Sequence, residues 1–338
     1  MMTFKAIVKT SVAVMAITLG SAVAAQTTNL RIQTHISPES PAGRLAGQFV
    51  QDVEMMSDGD IKIEMFYSAS AVAPSDTFDA VRNQVLSCDM TNGGYQTGKN
   101  PAFQFVNDIM GGYDTPLQQL SWLYYGGGKE AADKLYNKYG MKFVGWWVGG
   151  QESLISTKPL RGVSDLKDFK FRSPPGMESE IFAALGAKPV VMDFTEIFTA
   201  LETGIIDGAD ASSLANNVGL GLYDIAEHTT YPGFHSMAAD HLACNLNVWN
   251  KMPKPHQEII ETAMQKLSLH TAMSIMVKNS MAAADLTAKG VHLYDWSIQD
   301  RAEFREAAKS TWSEWAKRSP EAAVLVESHT KFLKKIGL

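Results

Sequence analysis

The sequence predicts an α/β fold with a mostly parallel sheet in each of two lobes. Three observations carry this. Strand and helix patterns alternate from residue 30 to 95, and they alternate again from residue 141 to 210. A mainly apolar run over residues 239–248 then stands between the second series and a helical tail, where a strand shared by both lobes fits. Alternating short strands and helices are the pattern of parallel sheets covered by helices. No repeat of solenoid period and no low-complexity linker interrupts the chain.

The first strand is Leu30-Arg31-Ile32-Gln33-Thr34-His35, which alternates apolar and polar residues. Ser37-Pro38-Glu39-Ser40-Pro41 stops it, and Leu45, Phe49, Val53 and Met56 give residues 42–56 helical spacing. Residues 61–66 alternate as a second strand, a helix is predicted over 75–86 with Ser75 or Asp76 as its cap, and Cys88-Asp89-Met90-Thr91 is a third strand ending in Asn92-Gly93-Gly94-Tyr95. Residues 117–139 read as helix broken at 126–128, and 141–147 as a strand ended by Gly149-Gly150. Further strands are predicted at 154–157, 169–172, 189–191 and 204–210, with helices at 177–185 and 195–201. One long amphipathic helix over 255–288, a brief strand at 291–294 and helices over 300–318 and 321–336 complete the chain.

The opening residues read as an export leader: Lys5 and Lys9, an apolar run over 11–19, and Ala22-Val23-Ala24-Ala25 before Gln26. The expected location is the periplasm, with cleavage near Ala25. No cysteine adjoins that site and no twin arginine precedes it. Of the 338 residues 45% are apolar and 20% charged, the profile of a packed globule, and the net charge of −6 argues against nucleic acid and anionic lipid. Cys88 and Cys244 form one bridge or stay as two thiols; either is open at this point.

Enzyme motifs are absent: no nucleophile elbow, P-loop, His-Glu-x-x-His or dinucleotide fingerprint occurs, and the eight histidines are scattered. The polar residues instead gather at predicted strand ends. Arg172 ends one strand immediately before Ser173-Pro174-Pro175-Gly176 and a helix. A guanidinium there, beside a helix N-terminus, suits a carboxylate, although a surface arginine paired with a nearby acid fits the local sequence equally well. Asn92 and Tyr95 follow the third strand, Gln151 and Glu152 follow Trp147, and Asp210, Ser212, Ser213, Asn216 and Asn217 follow Ile206. Ligands of open α/β sheets lie at such carboxyl ends. Phe234 and His235, in Tyr231-Pro232-Gly233-Phe234-His235-Ser236, add an aromatic and a polar wall.

The order of these motifs resembles the solute-binding subunit of tripartite ATP-independent periplasmic (TRAP) transporters, the DctP type. The likeness is carried by the opening from Ile32 to Pro41, by Ser164-Asp165-Leu166-Lys167-Asp168-Phe169-Lys170-Phe171-Arg172, and by Ala184-Leu185-Gly186-Ala187-Lys188-Pro189. Glu196-Ile197-Phe198-Thr199-Ala200-Leu201-Glu202-Thr203-Gly204-Ile205-Ile206-Asp207-Gly208 extends it. The resemblance implies a two-lobed periplasmic-binding-protein fold with hinge strands and a long bracing helix. Residues 26–150 would form the first lobe (with part of the C-terminal region returning to it), 151–240 the second, and 241–338 the shared strand and closing helices. It implies that Arg172 grips a ligand carboxylate, and that Gln151 stands where many relatives carry a second contact. In oxo-acid-binding relatives a glutamine there holds a metal ion. Asp210 stands where the family usually has glutamate. Ser236 replaces a glutamate that those relatives place after Tyr-Pro-Gly, so Na⁺ or Ca²⁺, with Gln151 and Asp210 as donors, stays open.

The expected function is therefore a non-enzymatic binding subunit that delivers a small organic anion to TRAP membrane permease subunits, as a monomer or dimer. A 2-oxo or 2-hydroxy acid is the leading ligand class, with aromatic acids, sugar acids and sulfonates as alternatives. An exported enzyme using His235 and Asp210, or a subunit feeding a sensor, are the rival readings.

Overall fold

The computed structural model describes residues 27–338. The predicted leader and its cleavage site lie outside the described residues. In chain order the strands are β1 (Thr28–Thr34), β2 (Ile61–Phe66), β3 (Cys88–Met90), β4 (Met141–Val148), β5 (Ser153–Ser156), β6 (Lys170–Ser173), β7 (Lys188–Val191), β8 (Gly208–Ser212), β9 (His228–Thr230), β10 (Ala239–Asn245) and β11 (His292–Tyr294). They make two sheets, ordered β2-β1-β3-β10-β4 and β11-β9-β5-β8-β6-β7. The two-lobed α/β class is as predicted. Each sheet also holds antiparallel members that local alternation did not show. β10 runs antiparallel to β3 and β4, and β5 runs antiparallel to β8 and β9. Strands linked through a helix pair in parallel, as β1 and β2 do across Pro41–Met56, because a crossover returns the chain in its original direction. β5 and β10 enter their sheets after the chain has crossed from the other sheet, and this reverses them.

The chain makes that crossing over residues 149–152, between β4 and β5, and returns over 231–238, between β9 and β10. The helix Lys254–Ala288 provides a third link. At 35 residues it is about 50 Å long. Its first half buries Ile260, Ala263, Met264 and Leu267 against Val144, Trp147 and Leu242 of the first sheet. Its second half packs Ala282 and Leu286 against Leu214 and Ala215 beside the second. The helix thus touches both lobes, as the resemblance implies.

The strand over 239–248 and the helix over 75–86 differ from the sequence reading. β10 ends at Asn245, whose Oδ1 accepts from the backbone N–H groups of Asn247 and Val248 and starts a helix, Leu246–Lys251. Among the described residues it pairs with β3, β4 and, through Asp240, Asn92 just beyond β3, so it belongs to the first sheet instead of being shared. The predicted helix over 75–86 is a 3₁₀ turn followed by Thr77–Arg82. As the sequence reading expects, the stretch over 117–139 is broken in its glycine run: it forms two helices, Pro116–Tyr125 and Gly128–Asn137, separated at Gly127 (φ +85°), a conformation that favours glycine. Cys88 and Cys244 stand directly opposite one another on β3 and β10 and are disulfide-bonded. Among the described residues no helix is long and apolar enough to cross a membrane.

Candidate functional site

Alternation along β6 places Phe171 in the apolar core and turns Arg172 to the opposite face. There Arg172 is only 3% exposed, a burial unusual for a charged side chain without a counter-ion. Two carbonyls hold it: Nε donates to Met192 O (3.2 Å) and Nη1 to Asp210 O (2.7 Å), and the Phe194 ring lies 5.9 Å from the guanidinium carbon. Among the described residues Nη2 has no hydrogen-bond partner and no carboxylate lies within ion-pair distance. Just ahead of the following helix, Glu178–Ala184, the Met177 N–H is already taken, donating to Gln104 Oε1 (2.9 Å).

Arg172 lines a cavity of about 60 Å³ between the sheets, room for about four to six waters. The first lobe contributes His35, Asn92, Tyr95, Asp108, Trp147 and Asp240, and the second contributes Glu152, Glu178, Phe194, Asp210, Ser212 and Asn216. Hydrogen bonds join the two walls. Asn216 Oδ1 accepts from Ala42 N (3.1 Å), and Tyr95 Oη accepts from Phe194 N (3.4 Å).

The walls carry more acid than base. Asp210 Oδ1 lies 3.0 Å from His235 Nε2, and Glu178 Oε1 lies 3.8 Å from the same nitrogen. Ligand atoms of Glu152, Asp210 and His235 all fall within 4.8 Å of one another. Glu152 Oε2 and Glu178 Oε1 are buried without hydrogen-bond partners. Burial, reinforced by the neighbouring Asp210 charge, raises both glutamates well above the ordinary range. Burial also acts to raise Asp210, but its bond to His235 and the charges of His235 and Arg172 bring it below its usual value. Asp108 is pushed up to about 7 by burial, against bonds from Ser236 Oγ (2.8 Å) and Met237 N (3.2 Å). Burial pushes Asp240 up to about 8 although Asn92 donates to it. His35 is driven down to about 3 by burial and by Arg172, so it is neutral. A neutral carboxyl can donate a hydrogen bond, and it ionises when a cation approaches.

Residues 32–318 match the DctP family, described as bacterial extracellular solute-binding protein, family 7. The chain belongs to this family. A relative from Nostoc sp. (strain PCC 7120), the monocarboxylate 2-oxoacid-binding periplasmic protein, is 30% identical over 305 residues, covering 90% of this chain and 81% of that protein. A TRAP periplasmic solute-binding protein from Rhodobacter sphaeroides, solved as an apo open structure, is 32% identical with a TM-score of 0.73, covering 91% of this chain and 98% of that one. Another, from Pseudoalteromonas atlantica with bound sodium and pyruvate, has a TM-score of 0.83 at 24% identity, covering 92% and 95%, a likeness of fold alone. These DctP-family relatives are solute-binding proteins.

Within this DctP-family fold the structure gathers Arg172, Asn92, Tyr95, Asp210, Ser212 and Asn216 around the cavity. It places three expected residues elsewhere. Gln151 donates to Asp114 O (2.6 Å) and lines a separate groove with Tyr231, Pro232 and Met276. Its neighbour Glu152 takes the cavity position. Phe234 packs on Trp296 and Phe304, with the Arg301 guanidinium over its ring. His235 is fully buried beneath the wall, where it holds Asp210. Sequence reasoning did not single out Asp108, Glu178, Phe194 or His35 as contacts. His35 carried a signal, since it closes the first strand. Asp108 lies in an irregular stretch, and Glu178 read as an ordinary acid at a helix start.

Proposed function

We propose that this protein is the periplasmic solute-binding subunit of a TRAP transporter, that it captures a small monocarboxylate between its lobes, and that it delivers this ligand to the membrane permease. The observation that carries the reading is Arg172, a buried guanidinium with an unpaired Nη2 on an interlobe cavity. One guanidinium matches one carboxylate, and a cavity of about 60 Å³ suits a guest of about six heavy atoms. The relative from Nostoc, named for monocarboxylate 2-oxo acids, supports the same class. Ligand contacts from both walls would favour the closed arrangement, because closure alone brings them together. The open Rhodobacter structure superposes less well than the ligand-bound Pseudoalteromonas one despite its higher identity, which supports closed lobes here. The predicted leader supports export.

Na⁺ or Ca²⁺ remains part of this reading with altered donors. Gln151 is turned away, so the pair Gln151 and Asp210 does not fit. Glu152 and Asp210 offer converging carboxylate oxygens of the kind hard cations prefer, with His235 orienting Asp210. A bound cation there would neutralise both acids beside the ligand. A thermal-shift screen of carboxylates, with Ca²⁺ or EDTA, tests the function, since a ligand of the folded state raises the midpoint. No stabilisation by any carboxylate would overturn it.

A further inference from the structure

The charge inventory of the cavity calls for a cation, and a guest can bring one itself in place of Na⁺ or Ca²⁺. Its single guanidinium is bonded to carbonyls and forms no ion pair among the described residues, so the surrounding acids are not its structural partners. Glu152 is buried with Oε2 unpartnered and no cation within ion-pair distance among the described residues, and Glu178 Oε1 is likewise without a hydrogen bond. Both line the cavity with Asp210: Glu152 and Asp210 have ligand atoms within 4.8 Å of each other, and Glu178 Oε1 lies 3.8 Å from the His235 nitrogen that bonds Asp210. Asp210, held ionised beside His235, would repel a second carboxylate at this part of the cavity. A cationic group would meet the unpartnered oxygens and form charge-assisted bonds to them. We propose that the guest is a small zwitterion, with its carboxylate on Arg172 and, a short spacer away, a cationic nitrogen held by Glu152, Glu178 and Asp210. This rests on the carboxylate-binding reading above and narrows it to aminoalkanoate-like solutes.

The test is calorimetry on the purified full protein in EDTA, with 2-aminopropanoate, 3-aminopropanoate and 4-aminobutanoate against propanoate, butanoate and pyruvate. At least one aminoalkanoate should bind about ten- to a hundredfold tighter than its desamino counterpart. Glu152→Gln, or Glu178→Gln if that variant does not fold, should abolish the preference for the amino compound. If the desamino acids bind equally well, or pyruvate binds only with Ca²⁺, the zwitterion is refuted and the carboxylate function stands. If no carboxylate binds under any condition, both fail.

Discussion

Replacing Arg172 by alanine removes the one guanidinium on the cavity while leaving Asp210, Glu152 and Glu178 in place. A carboxylate guest would then be buried without its cation, which costs about 3–5 kcal/mol. At about 1.4 kcal/mol per decade this weakens binding by roughly two to three and a half decades. Water entering the space vacated by the side chain re-solvates part of the guest, so the lower end, about a hundredfold, is the expectation. The substitution also strips donors from Met192 O and Asp210 O, a loss of about 1–3 kcal/mol for each acceptor left dry. Folding is therefore checked first by far-ultraviolet circular dichroism. Arg172→Lys keeps the charge but cannot hold two carbonyls and a carboxylate with one ammonium, and it should fall between the two. Titration calorimetry with the best ligand from the thermal screen reads the outcome. A folded Arg172→Ala protein with a Kd within about threefold of the native one would refute the assignment.

Removing the disulfide by Cys88→Ala with Cys244→Ala should lower stability by about 3–5 kcal/mol, since it frees a chain separation of 156 residues in the unfolded state; urea unfolding measures it. Asp240 has a folded-state pKa of about 8, above its unfolded value, so the native state binds the extra proton. Stability should therefore fall as pH rises from about 4 to 8, and Asp240→Asn should flatten that slope in urea midpoints taken across the range. Asn216→Ala loses the hydrogen bond to Ala42 N that ties the second lobe to the first. The unliganded protein should then populate a more open form, seen as a larger radius of gyration in solution scattering, with affinity about tenfold weaker.

Arg172 was legible because local chemistry states its position: a strand that alternates through Phe169 and Phe171, two prolines that end it, and a side chain suited to carboxylates. Asn92, Tyr95, Asp210, Ser212 and Asn216 shared the same kind of address. Gln151 shows where that reasoning stops. Its exchange with Glu152 is a matter of one residue, and neighbours in extended chain point in opposite directions. Which of them faces the cavity depends on a distant segment. Glu152 N donates to Ser236 O (3.0 Å), and Gly233 passes so close that a Cβ there would lie 2.0 Å from Glu152 O. Phe234 was misplaced for a similar reason: its core partners Trp296 and Phe304 come from 62 and 70 residues further along.

By itself the sequence determined the two-lobed α/β class, the long helix, and an arginine at a strand end, because periodicity, proline and side-chain chemistry act over a few neighbouring residues. Tertiary structure alone decided the antiparallel entries of β5 and β10, the pairing of Cys88 with Cys244, and the acid-rich lining of the cavity that holds Arg172. Asp108, Glu152, Glu178 and Asp210 come from separate parts of the chain. Burial and mutual charge change their chemistry only once folding has brought them around one cavity.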